Sequence, residues 1–219
     1  MNDQALITRI RVAYTKGSSL RFTGHLDMQH LWERLLRRSR LPIRYSQGFH
    51  ARARLNLASA LPLGFVSEAE LLDFWMNEPL PLEEIQQRLS KAAPAGLEIK
   101  TVQEIPLSED ALQVQMQASE YIIHFFDPQN PDALSQLIQQ MMARSTIPRT
   151  RRKKSYDLRP LILDMKVHQL SDGETGLWLC LNAEPGKTGR PDEVLAELGF
   201  QNTTYLAERS HLVLSGDQE

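Results

Sequence analysis

Apolar residues recur along this chain in two periods, and the periods change in the same order twice. From Ile7 to Tyr14 they alternate with polar residues, the pattern of a half-buried strand, and Lys16-Gly17-Ser18 ends the run. The spacing then lengthens. Met28, Leu31, Trp32, Leu35 and Leu36 fall at i, i+3, i+4, i+7 and i+8, one stripe of a helix over 24–39, with His30, Arg34 and Arg37 opposite. Strands are predicted over 54–59, 68–76 and 97–105. A helix over 82–93 precedes the last, opened by Pro79 and Pro81 and closed at Pro94-Ala95-Gly96. The order is βαββαβ.

The same order returns after residue 118. A strand over 120–126 leads to a helix over 131–143, with Asn130 as N-cap and Pro131 in the first turn. Strands over 161–168 and 177–182 flank an Asp172-Gly173 turn, a helix over 191–198 ends at Gly199, and a strand covers 203–214. The expected fold is α+β: two tandem ferredoxin-like βαββαβ domains, each an antiparallel sheet with its helices on one face. The first spans 1–107, a linker 108–118, and the second 119–219. The repeat lies in the architecture, with no residue-level self-similarity.

Charge gives this layout a direction. The formal net charge is only −2, yet residues 1–60 carry a net +8 and residues 144–159 a net +6, against −10 over 61–143 and −6 over 160–219. Local fields, not the total, steer a polyanion, so nucleic acid is the first partner to consider. Each basic block falls on the connection between the first helix and second strand of its half. A pseudo-twofold between the halves would let both connections line one groove.

Composition narrows the alternatives. Hydrophobic residues at 42% and charged residues at 24% suit a globular protein. The N-terminus lacks the apolar core of a signal peptide, and no apolar run approaches the ~18 residues that span a bilayer, so a cytoplasmic protein without membrane contact is expected. One cysteine, Cys180 in the apolar run LWLCL, excludes an internal disulfide and a self-contained iron–sulfur cluster. It reads as a small buried hydrophobe. His25 and His30 lie about 140° apart around a helix, so they share no ligand face, and neither metal nor cofactor is expected.

Two stretches carry the candidate chemistry. RYSQGFHARAR (residues 44–54) sets Arg44, Arg52, Arg54 and a protonatable His50 among Tyr45 and Phe49 around Gly48. Arginines fork onto phosphates while aromatic rings stack on unpaired bases. RTRRKKSYDLR (residues 149–159) gathers Arg149, Arg151, Arg152, Lys153, Lys154 and Arg159, cations whose mutual repulsion suggests a loop that is mobile until an anion neutralises it. Arg37 and Arg38 on the first helix complete the candidate nucleic-acid contacts. No Gly-rich nucleotide loop and no G-x-S-x-G elbow is present. The acids of 68–73 fall on a strand, where pairing with nearby arginines is the simpler reading.

KGSSLRFTGHLDMQHLWERLLRRSRLPIRYSQGFH (residues 16–50), ASALPLGFVSEAELLDF (58–74) and RRKKSYDLRPLIL (151–163) together resemble the bacterial radical-SAM-associated family of unknown function. Its members stand alone or are fused to, or encoded beside, cobalamin-binding-type radical SAM proteins. The resemblance implies a radical SAM protein as partner, with this chain as companion because one Cys cannot hold the radical cluster. The sequence departs from the family at Ala51 and Ala53, where prolines are common, so a less rigid loop is expected there. The reading is a non-catalytic RNA-binding accessory protein that presents tRNA or rRNA for modification or processing. Two alternatives stay open: a metal-independent endoribonuclease using Tyr45 and His50, and a protein-docking module that contacts no RNA.

Overall fold

The computed structural model describes residues 7–151 and 153–216. It is α+β, its sheets built from antiparallel strands, and the chain divides into two compact units, residues 1–115 and 116–219. Among the described residues no helix is long and apolar enough to cross a membrane.

In the first unit, β1 (Thr8–Lys16) pairs with β3 (Val66–Met76) on one side and β4 (Leu97–Ile105) on the other, and β2 (Leu55–Leu57) adds outside β3. The strand order is therefore β2–β3–β1–β4. Alternation along β1 sends Ile10, Val12 and Tyr14 to one face, where helices α1 (His25–Arg38) and α2 (Leu82–Ala92) bury them. Every residue of the expected α1 stripe is buried, and Trp32 meets Tyr14 edge-on at 4.8 Å. α1 ends where Ser39 Oγ donates to Leu36 O and Arg40 enters the left-handed region at φ +56°.

The other face of this sheet carries buried charge beside Trp75 and Leu71. Arg9 and Arg11 project there beside Asp73, which is fully buried. Both guanidiniums fork onto the one carboxylate, Arg9 through Nε at 2.9 Å and Nη2 at 2.6 Å, Arg11 through Nε at 2.8 Å and Nη2 at 3.0 Å. Arg9 also donates to the carbonyls of Glu109 and Asp110, and Arg11 to Gln115 Oε1. Gln113 Nε2 donates to Leu57 O. Residues 109–115, expected within a linker, are thus tied down on the first unit and include a short helix, α3 (Leu112–Gln115), that apolar periodicity did not announce.

The second unit repeats the order. β5 (Met116–Phe125) lies between β9 (Thr175–Glu184) and β11 (Tyr205–Leu214), and β8 (Ile162–Gln169) pairs with β9 on its far side. α4 (Pro131–Met142) starts with Asn130 Oδ1 accepting from Ala133 N at 3.0 Å, the expected cap. α5 (Pro191–Glu197) follows a two-residue strand, β10 (Lys187–Thr188). The basic connection is not a structureless loop. It folds into a hairpin of β6 (Pro148–Arg151) and β7 (Lys154–Asp157), because Asp157 Oδ1 anchors its base on Ile147 N and Arg149 finds carboxylates on α5.

Candidate nucleic-acid interface

Residues 44–54 continue the first sheet as an arm. Arg44 N donates to Trp75 O at 2.7 Å, Trp75 N to Arg54 O at 3.2 Å, and Arg54 N to Arg44 O at 2.8 Å. Tyr45 bridges Ala53, Ser46 N donates to Arg52 O, and Arg52 N returns a bond to Ser46 Oγ. These bonds hold the base of the arm without the prolines common at 51 and 53. The tip turns at Gly48, whose φ of +123° suits only glycine. Beyond it Phe49 is fully exposed, at 107% of its reference surface, and His50 stands in solvent beside it. An apolar ring so displayed forgoes the ~2 kcal/mol that burying it would yield.

Tyr45, at 43% exposure, has arginines on both sides. Towards α1 it shares a cleft with Glu33, Arg34 and Arg37. Away from α1 it shares a depression of about 420 Å³ with Arg44, Arg52 and Arg54. Arg34, Arg37 and Arg52 are exposed, with no side-chain hydrogen bond or ion pair among the described residues. The Arg54 guanidinium lies over the Trp75 ring at 4.3 Å, a stack that orients its donors, which make no hydrogen bond among the described residues. Arg44 reaches Asn77 Oδ1 at 3.5 Å, and Arg38 donates to Ala92 O at 2.9 Å.

Three cations counted towards the N-terminal charge are not on this surface. Arg9, Arg11 and Lys16 are buried, the first two on Asp73 and the third donating to Phe65 O at 3.2 Å. Of the other cations of residues 1–60, Arg34, Arg37, Arg38, Arg40, Arg52 and Arg54 are exposed, and Arg21 and Arg44 are half-buried.

The second basic stretch divides likewise. Arg149 forks onto Glu193 at 3.0 and 2.8 Å and reaches Glu197 at 3.1 Å. The Glu193 hydrogen bond, with the attraction of both carboxylates, raises its pKa above the usual arginine value although burial opposes this. Arg159 is half-buried, bonding the Met142 carbonyl at the end of α4 and Ile162 O. Both are engaged with the protein. Arg151 is half-buried, while Lys153, at φ +66° in the hairpin turn, and Lys154 are exposed. Arg152 lies outside the described residues.

Cys180 is half-buried, and burial, with Glu120 and Asp164 nearby, pushes its thiol up to about 11. A thiol so shifted is a poor nucleophile at neutral pH.

Taken together, these features describe a two-unit α+β protein whose first unit displays aromatic rings among unpaired arginines. The chain belongs to the family of uncharacterised proteins conserved in bacteria designated DUF2344, whose model matches residues 9–191. No protein of curated function matches it. Among solved structures, 94% of the chain is similar to a chain of a Cbf5–Nop10–Gar1 complex, with a TM-score of 0.48 and 8% identity. The same share is similar to a chain of an H/ACA RNP bound to a substrate RNA containing 2′-deoxyuridine, with a TM-score of 0.42 and 9% identity. The chain spans about half the length of each, 48% and 46%. Likenesses this distant carry no argument about function.

Proposed function

We propose that this protein is a non-catalytic RNA-binding accessory protein. The observation that carries the reading is the arm 44–54: a fully exposed Phe49 and a half-exposed Tyr45, flanked on one side by Arg34 and Arg37 and on the other by Arg44, Arg52 and Arg54. Exposed rings stack on bases only where the bases are unstacked, and guanidiniums fork onto the phosphates between them. The ligand is therefore single-stranded or looped RNA, with Arg37, Arg38 and the arm as its main contacts. Arg151, Lys153 and Lys154 of the second unit add charge, whereas the protein-bound partners of Arg149 and Arg159 favour structural duties for those two. The shared strand order of the two units supports reading each as a ferredoxin-like domain. The sequence resemblance supports a radical SAM protein as the partner that acts on the presented RNA.

The test is fluorescence anisotropy of a labelled 12-nucleotide RNA against salt. Binding with a log–log slope of about −0.7 per phosphate contacted is expected. Loss of affinity in Arg52→Ala/Arg54→Ala and in Tyr45→Ala/Phe49→Ala would place the contact on the arm. Absence of binding at low salt overturns the reading and favours a protein-docking module. Cleavage of the RNA in EDTA, lost in His50→Ala, would make the protein a nuclease instead.

A further inference from the structure

A depression of about 740 Å³ lies away from the arm, where the C-terminal ends of α1 and α2 meet. Four cations line it: Arg38, Arg40, Arg88 and Lys91. No carboxylate is among its lining residues. Carbonyl ends of helices attract cations, so capping is the first explanation to weigh. It accounts for two of the four. Arg38 of α1 donates to Ala92 O at the end of α2, and Arg88 of α2 donates to Arg40 O just past α1 while pairing with Glu84. Each helix thus lends an arginine to the other's terminus.

The remaining two do not fit that account. Arg40 and Lys91 are exposed and make no side-chain hydrogen bond or ion pair among the described residues. Arg40 also occupies φ +56°, a conformation in which glycine is at ease and a branched-out cation is not. Capping needs only its carbonyl, which any residue supplies. Meanwhile the guanidiniums of Arg38 and Arg88, each with five N–H groups, are held in place by one or two bonds and keep donors to spare. Two pre-oriented forks and two unpaired cations around one basin make a receptor for oxyanions.

Its position indicates which oxyanion. Arg37 lines the cleft beside Tyr45, and Arg38, its neighbour on α1, lines the basin. The two depressions therefore flank the same helical turn. We propose that the basin is a second phosphate-binding site, formed by Arg38, Arg40, Arg88 and Lys91, that takes consecutive backbone phosphates of the RNA strand leaving the arm. This rests on the RNA-binding reading above and extends its footprint across α1.

The variant Arg40→Gly/Lys91→Gln separates this role from folding. It removes the two unpaired charges, keeps the carbonyl that Arg88 caps, and frees residue 40 from a conformation disfavoured by its side chain. Its thermal midpoint should equal or exceed that of the parent. Binding of a 12-nucleotide oligouridylate with a 5′-hydroxyl should weaken about tenfold at low salt, and the slope of log Kd against log salt should fall by about 1.4, two phosphates' worth. Unchanged affinity and slope, in a protein whose parent binds the RNA and whose Arg52→Ala/Arg54→Ala variant does not, would overturn the basin and leave the arm standing. No binding by the parent would overturn both. If inorganic tripolyphosphate binds the parent and not the variant while RNA affinity stays the same, the basin serves a free polyphosphate and the extended track is refuted.

Discussion

Replacing Asp73 by Asn tests the reasoning about the buried charges of the first unit most severely. Asp73 Oδ2 accepts three hydrogen bonds from Arg9 and Arg11, and Oδ1 accepts one from Arg11 Nε. Asparagine keeps the size but offers one acceptor. Its better orientation leaves the oxygen in the three-bond position and turns an NH₂ towards Arg11 Nε, donor against donor. One charge-assisted bond is lost outright, at roughly 1.5–3 kcal/mol, and the other three, still donated by charged guanidiniums, each weaken by roughly 0.5 kcal/mol as the acceptor loses its charge. Arg9 is also left buried with no counter-charge at bonding distance and Arg11 with only Glu109 Oε1 at 3.5 Å, and breaking a buried pair costs about 3–5 kcal/mol as a whole. We expect a loss of about 4 kcal/mol, a drop of about 2 M in the urea midpoint at a slope near 2 kcal/mol/M. Tryptophan fluorescence reports it, since Trp32 and Trp75 are both buried in this unit. A companion, Arg9→Met/Arg11→Met/Asp73→Leu, should be more stable than Asp73→Asn, because it leaves no buried charge unpaired and frees only Glu109, whose side chain reaches solvent. A loss below about 1 kcal/mol in Asp73→Asn would refute the claim that this carboxylate holds the sheet face together.

Further outcomes follow from single contacts. Asn130→Ala should cost about 1 kcal/mol in denaturant unfolding, because Ala133 N loses its cap. Arg149→Ala should lower stability by about 1–2 kcal/mol while leaving RNA affinity nearly unchanged, since its donors face Glu193 and Glu197. An equal loss of affinity for Arg149→Ala and Arg52→Ala would contradict that separation. Cys180 should react slowly with a thiol reagent at pH 8, its rate climbing as pH approaches about 11. Its folded pKa stands above the ordinary value of 9.0, so its contribution to stability is full below pH 9 and fades as pH rises towards 11.

Much of the fold was legible because burial imposes period on sequence. The α1 stripe, the Asn130 cap and the bounds of β4 all follow from side-chain pattern and local capping chemistry. What escaped depends on pairing across distance. Arg9 and Arg11 looked like surface charge because nothing local reveals that β1 and β3 align them with Asp73 in register. Lys16 was hidden for the same reason. The hairpin at 148–157 read as a repelling loop because Glu193 and Glu197, the acids that neutralise Arg149, lie 44 and 48 residues further on. The arm was visible as a mixture of cations and rings around Gly48, yet the placing of Arg34 and Arg37 opposite Tyr45 required the fold. Arg40 lies just past α1 while Arg88 and Lys91 lie on α2, and no motif connects them.

The most direct measurement of the central claim is photocrosslinking of 4-thiouridine-labelled RNA, followed by peptide mapping of the attachment sites. Attachment at Tyr45, Phe49 or their immediate neighbours is expected, suppressed by salt and by Tyr45→Ala/Phe49→Ala. Crosslinks confined to other parts of the chain, and indifferent to that substitution, would contradict it.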